Sequence, residues 1–184
     1  TVRCGHSYAN FHNQRRAVAS QLFANRDRLP FHFRWLADRM ILTRDTEGLG
    51  LPPGTEILAI DGRPAASILR ALLPLARADG SNDGKRRALL SVEGTESYES
   101  FDIYFPLLFP MRGPDYALRV RPPRGTVRTI RVAPIDLDRR RASMPPEPPR
   151  EANPGWTIEH RGSAAAMTMP NWAMYNSRWD WRAW

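Results

Sequence analysis

The sequence predicts an α+β fold, on three observations. Phe31, Phe33 and Trp35 alternate with His32 and Arg34, the period of two of a half-buried strand. Ile57, Leu58 and Ile60 form a short apolar run between Pro53-Gly54 and Asp61-Gly62, which reads as a buried strand ending in a tight turn. Ile68, Leu69, Leu72, Leu73 and Leu75 then recur at helical spacing as far as Arg77, with Pro64 suited to the first helical turn.

Before the first strand, residues 1–28 hold the segment CGHSYANF and then a predicted amphipathic helix. Val18, Leu22 and Phe23 share one face of it and arginines the other. Leu29-Pro30 ends it, because proline disfavours helix in the residue before it. Ala37-Asp38 turns the chain into a returning strand built on Met40, Ile41 and Leu42. The loop over 45–54 contains GLGL at 48–51. Successive amides of a glycine turn can cradle a terminal carboxylate. Only Pro52 to Gly54 separate this loop from the central strand, however, and an ordinary approach turn is the preferred reading.

Beyond the helix, 78–84 is a dense turn signal and 86–92 a short helical piece. Phe101, Phe105, Leu108 and Phe109 predict a core-facing helix over 99–109 that Pro106 kinks or ends early. Tyr116, Leu118 and Val120, followed by Val127, Ile130 and Val132 after a Pro-Pro-Arg-Gly turn, predict a hairpin. Residues 136–155 read as an extended, solvated linker: they carry Arg139-Arg140-Arg141, five prolines between Pro145 and Pro154, and almost no apolar side chains. A strand pair over 156–169 and the start of a helix over 176–184 follow. Trp172, Trp179, Trp181 and Trp184 predict an interface there, since so much exposed aromatic surface calls for a covering partner.

Composition bounds the function. With 184 residues and 42% hydrophobic content, the chain can bury one core with attached pieces. No apolar run is long enough to span a bilayer as a helix, and opening on Thr1 rather than Met fits either a removed leader or an excised fragment. The net charge of +8 raises nucleic acid as a partner, but the arginines are spread from Arg3 to Arg182 and no zinc spacing or RNA-reading aromatic motif accompanies them. Nucleic acid is therefore not expected. Cys4 is the single cysteine, so no internal disulfide exists, and His12, His32 and His160 make no metal-ligand spacing with it. No metal and no cofactor are expected, and Cys4 reads as a small buried hydrophobe.

The run PPGTEILAIDGRPAASILRALL resembles the final strand and helix of bacterial PDZ-like domains, with Thr55 where those domains carry Asp. With CGHSYANF ahead of it and AAAMTMPNW behind, the chain resembles the front part of a carboxyl-terminal-processing (tail-specific) serine peptidase of the tricorn-core-related branch. The resemblance implies an N-terminal helical segment over 1–28, a PDZ-like domain over 29–135, a linker over 136–155 and the truncated start of a peptidase core over 156–184. It also implies hydrolysis of peptide bonds in a periplasmic or secreted setting, with the PDZ-like domain binding or gating the peptide and the missing catalytic core covering the tryptophans. His6 stands where that branch places its general base, although the residues alone read it as a structural histidine. The serine nucleophile motif is absent from the chain: Ser7, Ser163 and Ser177 do not match it, and Lys85 lies in a solvated turn. The implied fragment is inactive, and a stand-alone PDZ-like peptide-binding module is the alternative.

Overall fold

The computed structural model describes residues 26–94, 99–144 and 157–169, and His6, Cys4 and the C-terminal tryptophans lie outside that set. Contacts divide the chain into two compact units, Thr1–Met144 and Pro145–Trp184. In the first, strands β1 (Phe31–Leu36), β2 (Arg39–Asp45), β3 (Glu56–Ile60), β5 (Tyr116–Arg121) and β6 (Arg128–Val132) lie side by side in the order β1-β2-β3-β5-β6, antiparallel throughout. The two-residue β4 (Arg63–Pro64) pairs with β3 beside that path. The helices are α1 (Ala65–Leu72), extended by a 3-10 turn at Leu73–Leu75, α2 (Asp83–Leu89), α3 (Ser100–Leu108) and α4 (Leu137–Ala142). The α+β class is as the sequence predicts.

Period-two alternation puts Phe31, Phe33, Trp35, Met40, Leu42, Leu118 and Val120 into one core, which Ile57 and Ile60 join across a register shift in β3, and there Ile68, Leu69 and Leu72 of α1 meet Phe101 and Phe105 of α3. Aromatic rings run through it in sequence. Phe33 is edge-on to Trp35 at 5.8 Å and to Phe101 at 4.9 Å, Phe101 stacks on Phe105 at 4.8 Å, and Phe105 reaches Tyr116 at 6.2 Å. Pro106 does not end α3, which continues through it to Leu108. Its cost is one backbone bond, since proline has no N–H for the Asp102 carbonyl.

The Asp-Gly turn after β3 is the local device that aligns the sheet. Asp61 (φ 48°) and Gly62 (φ 76°) both take left-handed conformations, as a two-residue hairpin loop with strand-matched twist requires. Asp61 also extends the β3–β5 ladder: its N–H donates to the Ala117 carbonyl at 2.8 Å, and its Oδ1 accepts from the Ala117 N–H at 2.8 Å. Thr55, fully buried, donates its hydroxyl to the Pro52 carbonyl at 2.7 Å and so fixes the turn before the strand.

Two expectations give way. The solvated linker does not begin at 136: residues 137–142 are helical, capped by Asp136 and packed on the first unit, and the unit boundary falls after Met144. Charge made this stretch look solvated, but Arg140 is only 1% exposed, for a reason given below. The alternation puts His32 on the polar side of β1, yet that side is covered at this point: the register shift beside it leaves the extra residue, Thr43, on β2, and Gly94 lies against the His32 ring, which is buried. In the second unit, β7 (Thr157–Arg161) and β8 (Ala164–Thr168) form the expected hairpin, exposed along its length.

Asp61→Ala is expected to cost about 1–2 kcal/mol in urea unfolding, by removing the bond to Ala117 and placing alanine in a left-handed conformation. Asp61→Asn keeps the acceptor and tolerates that backbone, so its midpoint should stay close to wild type.

Candidate functional site

Of the residues singled out from sequence, the described part of the chain brings none into a catalytic pairing. Lys85 sits exposed in the first turn of α2, its backbone N–H bonded to Asn82. Ser163 occupies the tip of the β7–β8 hairpin, and His160 lies exposed on β7. Ser91 donates to the Arg87 carbonyl and accepts from the Trp35 N–H, while Ser143 donates to the Arg140 carbonyl. Among the described residues no group of three or more His, Cys, Asp or Glu could hold a metal ion. The GLGL loop is an ordinary turn. Asp45 accepts from the amides of Glu47 at 3.1 Å and Leu51 at 3.3 Å, so an internal carboxylate bonds to the amides just before and at the end of that run.

The chemistry-bearing cluster that the fold does assemble was not foreseen from sequence. Asp102 on α3 accepts a bidentate pair from Arg140 on α4, one arm at 3.0 Å between Nη1 and Oδ1 and the other between Nη2 and Oδ2, and Arg28 approaches from before β1 with Nε 3.3 Å from Oδ2. All three side chains are buried. An acidic residue inside the apolar helix SFDIYFPLL was the available signal, because a buried carboxylate demands a cation. The sequence does not say which of 27 basic residues supplies it.

Two further titratable groups border this cluster. Glu99 bends back to accept from the amides of Glu93 at 3.2 Å and Gly94 at 2.7 Å. Burial pushes its carboxyl up to about 7, against the pull of those amides, with the Asp102 charge adding to the rise and Arg140 opposing it. His32 has neither ring nitrogen hydrogen-bonded, and burial together with the Arg140 and Arg44 charges pushes it down to about 4, Asp102 opposing. Gly94 (φ 78°) lies between them. A Cβ there would stand 2.8 Å from Met144 Sδ and 3.0 Å from His32 Nε2. The cluster thus ties the start of β1, Glu93 and Gly94, α3 and α4 together, with Asp102 paired to two arginines and Glu99 bonded to backbone amides.

A second feature concerns the edges of the sheet. The outer edge of β1 is covered: Phe33 and Val92 exchange backbone bonds at 2.9 and 3.0 Å, Trp35 N–H donates to Ser91 Oγ, and Trp35 Nε1 donates to the Leu90 carbonyl. At the other end, Ile135 and Arg28 exchange backbone bonds at 3.0 and 3.2 Å, which draws the two edges together below β6. The outer edge of β6 pairs with no strand among the described residues. Strand addition to such an edge is a recurring way to hold an extended peptide.

No protein family model and no curated protein matches the chain. Among solved structures, distant and partial similarity is found to CPAF. Mature CPAF complexed with lactacystin is 20% identical with a TM-score of 0.38, over 58% of this chain and 19% of that one. A CPAF mutant is 19% identical with a TM-score of 0.38, over 64% and 22%. The chain therefore matches about a fifth of the length of the CPAF chains.

The buried cluster yields two measurable outcomes. Arg140→Met should destabilise by about 3 kcal/mol in denaturant unfolding, because it leaves Asp102 short of its bidentate partner in a desolvated site. The two shifted groups should oppose each other in pH dependence. The raised Glu99 contributes stability that is full below pH 4.5 and lost as pH climbs through about 7. The lowered His32 contributes stability that is full above pH 6.5 and lost as pH falls through about 4. Between these limits wild type should change little, whereas Glu99→Gln should gain stability with rising pH and His32→Leu should lose it. Parallel urea-midpoint profiles for all three proteins would contradict this assignment.

Proposed function

We propose that this chain is the peptide-handling part of a serine-type peptidase, in which the antiparallel sheet of the first unit binds or gates an extended peptide and the serine nucleophile lies elsewhere in the parent enzyme. The observation that carries this reading is the sheet with one covered and one uncovered edge among the described residues: β1 is closed by the Leu90–Val92 backbone, while the outer side of β6 pairs with no strand there. The strand, Asp-Gly turn and helix running from Glu56 to Leu72 support it as well, since they are the elements that the PDZ-like resemblance implies for this stretch. In this reading His6 is the parent's general base, on the strength of CGHSYANF, and the tryptophan-rich segment after 170 meets the catalytic core. The setting is periplasmic or secreted by the same resemblance.

Main-chain pairing supplies the affinity and neighbouring side chains the selectivity, so the sheet tolerates many sequences in one extended conformation. A stand-alone peptide-binding module uses the same edge and differs only in having no catalytic partner.

The test is to mix the purified chain with a set of fluorescein-labelled unstructured peptides, following anisotropy for binding and mass spectrometry for cleavage. Binding with every peptide left intact is expected. Cleavage that disappears in a His6→Ala variant would overturn the inactive-fragment reading, and the absence of binding to any peptide would overturn the peptide-handling role.

A further inference from the structure

From Tyr116 to Val132 the chain carries five arginines, Arg119, Arg121, Arg124, Arg128 and Arg131, and no acidic residue. All five are exposed. Arg121 is paired with Glu56 at 3.2 Å, and Arg128 reaches the Gly50 carbonyl at 3.5 Å. Arg119, Arg124 and Arg131 have no acidic partner among the described residues.

Register places these charges on both faces of the uncovered strand. Ala117 pairs with Arg131 and Arg119 with Thr129, so Arg119 and Arg131 project from the face opposite buried Leu118. Val120 pairs with Arg128, which puts Arg128 on the core-side face at the margin of the sheet. A strand added alongside β6 would lie about 4.8 Å away and send alternate side chains to the two faces, each of which presents an arginine. Charged side chains on an edge strand also discourage self-pairing, which accounts for Arg128 and Arg131. It does not account for Arg119 on the inner strand of the hairpin.

We infer that the free edge of β6 takes an extended acidic peptide as an added strand, with consecutive Asp or Glu residues meeting Arg131 and Arg119 on one face and Arg128 on the other. This rests on the peptide-handling reading above and narrows its ligand class. Main-chain bonds fix the peptide's direction and register, and the arginines select for carboxylates on both faces rather than on alternate positions.

The experiment uses the full chain with three labelled peptides of equal length, rich in Glu and Asp, neutral, or rich in Lys. Each is measured by anisotropy at low and moderate salt against wild type and an Arg119→Glu/Arg131→Glu double variant, whose fold is checked by circular dichroism. Amide hydrogen exchange of β6 is recorded with and without the acidic peptide. The expected result is preference for the acidic peptide, weakening with salt, a loss of about tenfold or more in the double variant, and slowed exchange over Arg128–Val132. If the three peptides bind equally and the variant is unaffected, peptide handling stands and the acidic assignment at β6 falls. If no peptide binds, both fall. Acidic-peptide binding without protection of β6 would overturn strand addition, and an oligonucleotide that binds wild type more tightly than the acidic peptide would overturn the peptide as the ligand.

Discussion

The structure of the first unit depends on neutralising one buried carboxylate. Asp102 is carried into the interior because its neighbours Phe101, Ile103 and Phe105 belong there, and a helix cannot turn one residue aside without moving the rest. An ionised carboxylate in such a place is tolerated only with matched cations and good geometry, and Arg140 and Arg28 provide them from two distant parts of the sequence. The consequence is architectural. Helix α4 is held against the unit by the Arg140 fork, by Arg139 on Glu47 with Nε 2.9 Å from Oε1, and by Arg44 donating to the Ser143 carbonyl at 3.0 Å. A segment of arginines that would otherwise be solvated becomes a structural strap.

What could be read from the residues alone, and what could not, divides along the range of the interactions. Strands β1, β2, β3, β5 and β6, helices α1 to α3 and the turns between them are visible locally, because alternation, helical spacing and glycine or proline turn signals are properties of neighbouring residues. The burial of His32 needed the segment around Gly94, far along the chain, to lie against it, and the burial of Arg140 needed a partner 38 residues away. Neither leaves a periodic trace. The candidate site divides the same way. The arginine-rich hairpin is legible as composition, but its exposure along an uncovered edge depends on the sheet order, and Glu99 and His32 become interesting only once burial shifts them.

The sheet treats its margins unequally. On the β1 side, the Leu90–Val92 backbone and the indole of Trp35 satisfy the groups that would otherwise invite another strand, and they do so with residues that also belong to the core. On the β6 side no strand among the described residues pairs with the same groups, and arginines flank them. Closing one margin with an internal segment leaves the other as the margin beside which the arginines of the β5–β6 hairpin stand.

The backbone bridge between Arg28 and Ile135 sets the points where the chain enters and leaves the sheet one hydrogen-bonded pair apart. A module built this way is portable. It can be spliced into a surface loop of another protein without prying that loop's two ends apart, and it can be excised to leave a gap that a few residues close. The piece that travels includes α4, because Arg140 neutralises Asp102 inside it. A transfer between hosts on those terms leaves the aromatic core and the outer edge of β6 as they are.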